Sequence, residues 1–374
     1  MQNMRDSQLN PYEHSDIKIK LLQLYLEKYI SILANTTWVK KVELYDLFCG
    51  EGVYENGKKG SPIIILNILN DIYQRNKNLV RNTVQFNCHF NDKDDIKTKK
   101  LEYYIASSNL FNPEIGTYKI SNENYQDLKT TIINDNNIHG EKKFIFIDPY
   151  GYKNISITDI HNFLSDGNTE VLLFLPTQFM YRFEKDATPE VLYDFLSQIM
   201  DESDLAKSKN GIEFINRLRD GFGKKLKNHY VDSFIITRDV NQYFALFFFT
   251  SHIYGFEKFL EAKWAIDEEE GRGWTPAFSE QDLFSTLPSE PKIDKFEEEI
   301  KIFLTRSRSN VEIHAFTIEH RHLIKHTVQI LLSLQNVNKL EVTMNDGKLA
   351  RKSSFYIGWN EVKTKITKCF IKIK

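Results

Sequence analysis

A strand-like run that ends in an acid and is followed by two glycines is the first stretch of this sequence able to do chemistry. Asp46 closes the run, Gly50 and Gly52 follow, and an apolar helix-like run covers residues 62–76. Strand, glycine turn and helix in this order place backbone N–H groups around a ligand, because only glycine lets the chain come so close. An ordinary glycine-bearing turn between a strand and a helix is the alternative.

The acids and glycines of this stretch separate two classes of nucleotide cofactor. A dinucleotide-binding turn prefers a third glycine at the start of the helix and no acid at the end of the first strand. Here the third glycine is missing and Asp46 is present. S-adenosylmethionine (AdoMet) has no pyrophosphate to cradle, but it has an amino-acid part to hydrogen-bond. The pattern therefore favours AdoMet over a nicotinamide dinucleotide, with Asp46, Phe48, Gly50 and Gly52 as candidate cofactor-binding residues.

A second candidate site follows the fourth predicted strand, where the sequence reads Asp148-Pro149-Tyr150-Gly151. A carboxylate or carbonyl held by proline at a strand end can accept hydrogen bonds from an exocyclic amine and point its lone pair at a donor methyl. A neighbouring aromatic ring can stack on a flipped base. Such a transfer depends on positioning and charge stabilisation more than on a strong base. A simple strand-end turn is the alternative, and the position beside the Asp46 turn favours function.

Two further polar positions follow predicted strands. Asp92 closes the second strand, where a carboxylate accepts hydrogen bonds from ribose hydroxyls. It could instead cap the helix over residues 93–107, and Asp94 competes for either role. Asn122 or Asn124 follows the third strand. Ligands of parallel sheets lie at the carboxyl ends of the strands, so these residues are expected at the same site.

The elements that position these residues alternate between strands and helices. This alternation predicts an α/β fold with a doubly wound, Rossmann-like parallel sheet, within a domain over residues 1–270. Residues 184–229 are charged and helical, and they are interpreted as a helical insertion near the mouth of the site. Residues 231–237 and 243–250 are predicted to form an antiparallel pair that completes the sheet.

The C-terminal part of the chain differs in charge from the rest. Residues 271–291 are acidic, contain Gly and Pro, and are predicted to be a linker. Residues 292–374 carry 16 Lys and Arg against 9 Asp and Glu, a balance of +7 in a chain of net charge −2. Their predicted order is helix, strand (311–314), two helices and a hairpin (340–344 with 354–357), the order of a winged helix-turn-helix. A basic domain suggests an anionic partner such as nucleic acid, although a solvated basic surface is the alternative.

Length and composition narrow the class of protein. A chain of 374 residues can bury a large core and is expected to form more than one domain. No apolar run approaches the ~20 residues of a membrane helix, and the polar N-terminus lacks the apolar core of a signal peptide. Cys49, Cys88 and Cys369 have no paired spacing, which argues against a disulfide framework and favours the cytoplasm. His322 and His326 share a helix face, but surface histidines are favoured over a metal site.

Taken together, the motifs resemble those of the three-Cys-motif partner proteins, a bacterial family of class I AdoMet-dependent methyltransferase-like proteins. The matching pieces are His14, Lys18, Tyr45-Asp-Leu-Phe-Cys-Gly-Glu-Gly-Val-Tyr54, Gly60-Ser-Pro62, Ile147-Asp-Pro-Tyr-Gly-Tyr152 and Tyr243-Phe-Ala-Leu-Phe-Phe-Phe-Thr-Ser-His252. The Asp148-Pro-Tyr-Gly element also looks like the motif of amino methyltransferases that act on adenine N6 or guanine N2. It is closer to the Asp-Pro-Phe-Gly form of a tRNA guanine-N2 family.

The resemblance implies a role for each candidate residue. It implies that Asp46, Gly50 and Gly52 lie at the methionine moiety. It places Asp92 at the ribose and Asn122 near the cofactor adenine. It places Asp148, Pro149 and Tyr150 at the target amine. It also implies a partner protein that bears three cysteines. The leading hypothesis is an AdoMet-dependent methyltransferase acting on an exocyclic amine of RNA or DNA. The alternative is a methyltransferase-fold binding or regulatory protein that works through a protein partner without turnover.

Overall fold

The protein is described by a computed structural model in which two compact units are distinguished. The described residues are 13–77, 84–135, 139–151, 155–184, 189–201, 208–239, 242–275 and 290–374. The first unit runs to His252 and includes the short strand Gly273–Trp274, whereas the second contains Ile253–Arg272 and residues 290–374. Most of the predicted linker, like Tyr152 of the second motif, lies outside the described residues.

The division between the two units falls earlier than the predicted boundary at residue 270, because the helix that begins at Ile253 belongs to the second unit. Trp264, at the end of this helix, packs its ring edge-on against His326 with 4.4 Å between centroids. Its indole N–H also donates to the carbonyl of Arg321 at 3.1 Å. No glycine, proline or charge signal in the sequence marks the break, since it falls between a strand and the helix that directly follows it.

The first unit is a layered α/β fold. Its strands are β1 (Lys41–Asp46), β2 (Gln85–Asn91), β3 (Gly116–Ser121), β4 (Glu141–Ile147), β5 (Thr169–Leu175), β6 (Tyr230–Asp239), β7 (Gln242–Thr250) and β8 (Gly273–Trp274). Its helices are α1 (Glu13–Ala34), α2 (Ser61–Asn76), α3 (Asp95–Ser107), α4 (Tyr125–Asn134), α5 (Ile157–Leu164), α6 (Thr177–Glu184), α7 (Glu190–Ile199) and α8 (Gly211–Lys225). The prediction of a mostly parallel, Rossmann-like α/β sheet is confirmed.

The order of the strands defines where a ligand can bind. The sheet runs β3-β2-β1-β4-β5-β7-β6-β8. Strands β1 to β5 are parallel, while β7 runs antiparallel to both β5 and β6, as predicted for the last pair. The order reverses between β1 and β4, and sheets of this kind bind ligands beyond the carboxyl ends of the strands at such a point. Asp46 pairs in register with Phe146, so Asp148 lies two residues further on at the same edge.

Helices α7 and α8 form most of the described part of residues 184–229, and both pack on the sheet; a position at the mouth of the site stays a prediction. Phe195 and Phe214 belong to the same buried cluster as the inward side chains of β4, β5 and β7. The ring of Phe222 contacts Phe247 and Phe249 of β7 at centroid distances of 5.3 and 5.1 Å. Both helices therefore cover one face of the sheet, because their apolar stripes need that face to be buried.

Helix α1 runs along the sheet from its carboxyl edge toward its amino edge. The hydroxyl of Tyr25 donates to Glu170 near the start of β5, and that of Tyr29 donates to the carbonyl of Lys143 at 3.3 Å. The opposite end of α1 brings Lys18 to the carboxyl edge, where it pairs with Asp148. Among the described residues, no helix combines the length and the apolar character needed to cross a membrane.

The second unit is smaller and contains a three-stranded sheet. Its elements are α9 (Ile253–Trp264), α10 (Asp294–Phe303), β9 (Arg308–Ser309), α11 (Asn310–Glu319), α12 (Ile324–Asn336), β10 (Leu340–Met344), α13 (Trp359–Val362) and β11 (Cys369–Ile373). The sheet order is β10-β11-β9, with antiparallel pairing throughout. From α10 onward the order is helix, strand, helix, helix, strand, helix and strand, which follows the predicted order as far as β10.

Two details of that prediction are wrong. Residues 311–314 are helical, because Ser309 and Glu312 form a reciprocal capping box that starts α11. The partner of β10 is β11 and not residues 354–357, since Tyr356 has a left-handed backbone (φ 55°) that interrupts an extended strand. The turn that follows β10 does form, with Gly347 at φ 81°.

The histidines expected on the surface are largely internal. His314 and His326 are only 2% and 1% exposed. Burial lowers the pKa of His326 to about 4, and the nearby His322 contributes in the same direction. Among the described residues, no group of three or more His, Cys, Asp or Glu side chains is placed to hold a metal ion.

The free energy of unfolding of the second unit is expected to fall as the pH is lowered from 7 to 4. The unfolded His326 has a pKa near 6.5 and the folded one about 4, so the unfolded chain binds the extra proton in this window. The loss is about 2–3 kcal/mol at pH 4. Thermal melts followed by circular dichroism at several pH values measure it. His326→Gln is expected to flatten the dependence, and an unchanged slope in this variant would contradict the assignment.

Candidate active site

The turn between β1 and α2 is built on two glycines in the left-handed region. Gly50 has φ 64° and Gly52 has φ 78°, which side chains with a Cβ rarely adopt. The N–H of Gly50 donates to Asp92 Oδ2 at 3.0 Å, which fastens the turn to the end of β2. A Cβ built on Gly50 would meet no atom within 4 Å. The backbone at Gly50 therefore faces open space, and a ligand can approach it closely there, whereas Gly52 packs against Leu101 and Ile63.

Asp46, at the end of β1, is a fully buried carboxylate with an unsatisfied oxygen. Its exposure is 0%. Oδ1 accepts from the N–H of Phe48 at 3.4 Å, whereas Oδ2 has no hydrogen-bond partner among the described residues. Burial raises the pKa of Asp46 to about 7; Asp148 and Asp92 push it in the same direction, while the hydroxyl of Ser61 lowers it. A buried polar atom without a partner is costly, so a ligand that donates a hydrogen bond to Oδ2 is favoured here.

Phe48, inside the turn, is half-buried and stacks on Tyr125 with 5.7 Å between ring centroids. Its contact with the cofactor stays a prediction.

Asp92 and Asn122 lie together at the same edge. Asp92 is 2% exposed, and its Oδ1 accepts from the N–H of Asp94 at 2.9 Å. The amide of Asn122 donates to the carbonyl of Asp92 at 3.1 Å. Asp94, not Asp92, caps α3 by accepting from the N–H of Ile96 at 3.0 Å. Asp92 therefore does not cap α3. Contacts of Asp92 with a ribose and of Asn122 with an adenine stay predictions.

The three residues that follow β4 lie in different environments. Asp148 is partly exposed and forms an ion pair with the ammonium of Lys18. Pro149 is buried. Tyr150 is 64% exposed, and its hydroxyl accepts from the ammonium of Lys97 on α3, which also lies 4.7 Å from its ring centroid. Tyr150 therefore has a cationic partner near its hydroxyl, while most of its side chain stays exposed.

Lys18 is the site residue that reasoning from the sequence missed. Its ammonium pairs with Asp148 and lies 4.7 Å from the ring centroid of Phe174. Phe174 in turn stacks on Phe244 with 5.7 Å between centroids. Lys18 entered the sequence comparison only as a matching position, and nothing in its local pattern separates it from the other lysines of α1.

Tyr54, at the end of the glycine turn, is a second missed residue. Burial raises its pKa, and the charges of Asp148 and Asp46 add to the effect. Its hydroxyl therefore stays protonated and can donate a hydrogen bond in the neighbourhood of both carboxylates. The sequence did point to this residue, because Tyr54 is the last residue of the motif that contains the two glycines.

Comparisons with known proteins give structural likeness only. No family model and no curated protein matches the chain. Solved structures similar to it include the O-methyltransferase from Bacillus cereus in complex with SAH (13% identity, 67% of this chain and 92% of that one, TM-score 0.34). A second is a putative rRNA-methylase from Clostridium thermocellum (11% identity, 60% of this chain and 92% of that one, TM-score 0.28). A third is the N-terminal domain of human METTL16 in complex with SAH (9% identity, 63% of this chain and 70% of that one, TM-score 0.28). At TM-scores of this size, the function of this chain has to be inferred from its own residues.

Proposed function

We propose that this protein is an AdoMet-dependent methyltransferase that acts on an exocyclic amine of a nucleic-acid base. One observation carries the proposal: the partnerless Oδ2 of buried Asp46 and the carboxylate of Asp148 flank the point where the strand order reverses. A cofactor site and an acceptor site are therefore side by side at the edge where sheets of this kind bind ligands.

The residues around the glycine turn fit the amino-acid part of AdoMet. Its ammonium group supplies the donor that Asp46 Oδ2 lacks. Its carboxylate suits the N-terminus of α2, where Gly60 is the N-cap and no side chain caps the free N–H groups. The open space over Gly50 admits the ligand. A pyrophosphate would instead bring negative charge against Asp46 and Asp92, which disfavours a dinucleotide.

Asp148 is proposed to orient the acceptor. Bound AdoMet supplies an electrophilic methyl group on its sulfonium. One oxygen of Asp148 pairs with Lys18, and the other can accept an N–H of the acceptor amine and so point the nitrogen lone pair inward. Because Lys18 already neutralises Asp148, the subsite suits a neutral amine, such as that of a base, better than an alkylammonium ion. The exposed ring of Tyr150 offers a stacking surface for the base.

The second unit is proposed to be a winged helix that grips the phosphate backbone. The balance of +7 over residues 292–374 of this unit supports this role, and Lys348, Arg351 and Lys352 are exposed in the segment after β10. The resemblance of the motifs to the three-Cys-motif partner family adds the proposal of a three-cysteine protein partner in the cytoplasm.

The proposal is tested in two steps with the full chain. Calorimetry measures AdoMet binding, and transfer of a labelled methyl group to total RNA and to total DNA measures turnover. Binding together with label in a base of either nucleic acid is expected. Absence of AdoMet binding overturns the proposal at the cofactor, whereas binding without transfer supports the regulatory alternative.

Lys18→Met is expected to lower methyl transfer by about tenfold to a hundredfold, because Asp148 loses the charge that orients it. AdoMet affinity is expected to stay unchanged. Lys18→Arg keeps the charge and is expected to restore most of the activity. The matched control is Lys20→Met, since Lys20 is exposed on the same helix. Equal losses in the Lys18 and Lys20 variants would contradict a role for the ion pair.

A further inference from the structure

A groove on the second unit lies between the end of α10 and α11, and its lining does not include the exposed basic residues after β10. It is lined by Ile302, Phe303, Arg306, Arg308, Phe316 and Glu299, among others. We propose that this groove binds one unpaired base of a single-stranded nucleic acid, with the base on the guanidinium of Arg308 and the adjacent phosphate on Arg306. This inference rests on the proposed function and names how its substrate is held.

Arg308 forms a planar platform that is already fixed in place. Its guanidinium carbon lies 4.3 Å from the ring centroid of Phe303. Its Nε donates to the carbonyl of Phe303 at 3.2 Å, and its Nη1 donates to Glu312 at 3.3 Å. Phe303 itself stacks on Phe316 with 4.1 Å between centroids. The inner face of the guanidinium is thus covered by a stacked pair of rings, and bases stack on the free face of such a plane.

Arg306 supplies the charge that a phosphate needs. It is exposed and, in the described part of the chain, makes no hydrogen bond or ion pair. Glu299 is the acid of the groove, and it is within 3.7 Å of Lys295, which offsets its charge. Since Glu312 offsets the charge of Arg308 and Lys295 that of Glu299, Arg306 leaves the groove with a net positive charge, so an anionic strand is favoured over a basic or neutral occupant.

Ile302 indicates that the occupant also has an apolar part. Its side chain is 71% exposed on the wall of the groove, which is unusual for a large aliphatic residue. An unpaired base presents an apolar face next to a phosphate, whereas a duplex keeps its bases stacked inside. The groove is therefore expected to prefer single strands to duplexes.

Fluorescence anisotropy with a short labelled oligo(U) strand and with a labelled duplex tests the proposal on the full chain. Arg308→Lys keeps the charge but removes the plane, and it is expected to weaken oligo(U) binding about tenfold with little effect on the duplex. Arg306→Ala is expected to weaken it and to reduce the slope of log affinity against log salt by about 0.7. Arg272→Lys, a matched exchange of an exposed arginine outside the groove, is expected to leave oligo(U) binding unchanged.

Equal loss of strand and duplex binding in Arg308→Lys, or wild-type binding in both groove variants, would overturn the proposal. Thermal melts show whether Arg308→Lys is folded, and Arg306→Ala, which removes only an exposed side chain, remains informative if it is not. AdoMet calorimetry on the same variants separates the two hypotheses. If both variants bind AdoMet and also bind oligo(U) as tightly as the wild type, only the proposal of a base-binding groove is rejected. If the wild-type protein does not bind AdoMet, the proposal of a methyltransferase is rejected.

Discussion

Asp46→Asn is expected to weaken AdoMet binding by about a hundredfold or more without unfolding the protein. The substitution keeps the size of the side chain and removes the buried charge whose Oδ2 has no partner. Losing one member of a buried ion pair costs several kcal/mol, which corresponds to this factor. The fold is expected to survive, because a buried carboxylate without a counter-charge does not stabilise the free protein.

The pH dependence of this binding provides a sharper test. Burial raises the pKa of Asp46 to about 7, so the free carboxyl is increasingly protonated below that pH. A cationic ligand binds the ionised form, and affinity is therefore expected to fall up to tenfold per pH unit below 7. Binding near pH 7 should release protons, which calorimetry detects in buffers of different ionisation enthalpy. In Asp46→Asn the dependence should disappear.

Glu170 offers a matched control for Asp46. It is a buried carboxyl of the same sheet, and burial raises its pKa to about 7 as well. It accepts from Tyr25 and Thr250 near the start of β5, at the opposite edge from the candidate site. Glu170→Gln is expected to leave AdoMet affinity and its pH dependence as in the wild type. A similar loss in both variants would show that Asp46 acts through stability alone.

Asp148→Ala is expected to lower methyl transfer by about 10²–10³-fold while AdoMet affinity stays within about twofold of the wild type. The substitution removes the acceptor of the target N–H and leaves the glycine turn intact. Asp148→Asn is expected to be intermediate, because its amide oxygen can still accept. Single-turnover transfer and calorimetry on the same preparations separate the two steps.

A double-mutant comparison of Asp148→Ala with Lys18→Met follows from the ion pair. If Lys18 acts only by orienting Asp148, the double variant should be no slower than Asp148→Ala. Additive losses would mean that Lys18 contacts the acceptor or its phosphate independently. Loss of AdoMet binding in Asp148→Ala would contradict the separation of cofactor and acceptor sites.

Local pattern alone predicted the alternating elements of the first unit and the edge of the sheet that carries the candidate residues. Alternating strands and helices predicted the parallel sheet, and residues that end strands had to meet at its carboxyl edge. The sequence alone therefore predicted that Asp46, Asp92 and Asp148 lie at this edge. Their neighbours in sequence supply much of their geometry, as the positive φ of Gly50 does for the turn.

Tertiary structure alone decided which distant residues complete the site and where the units divide. Lys18 and Asp148 are 130 positions apart, and only the course of α1 along the sheet brings them together. The same holds for the pairing of β10 with β11 and for the burial of His326. In each case packing between elements that are far apart in the chain decides which residues are in contact. The periodicity and spacing of the sequence carry no information about such contacts.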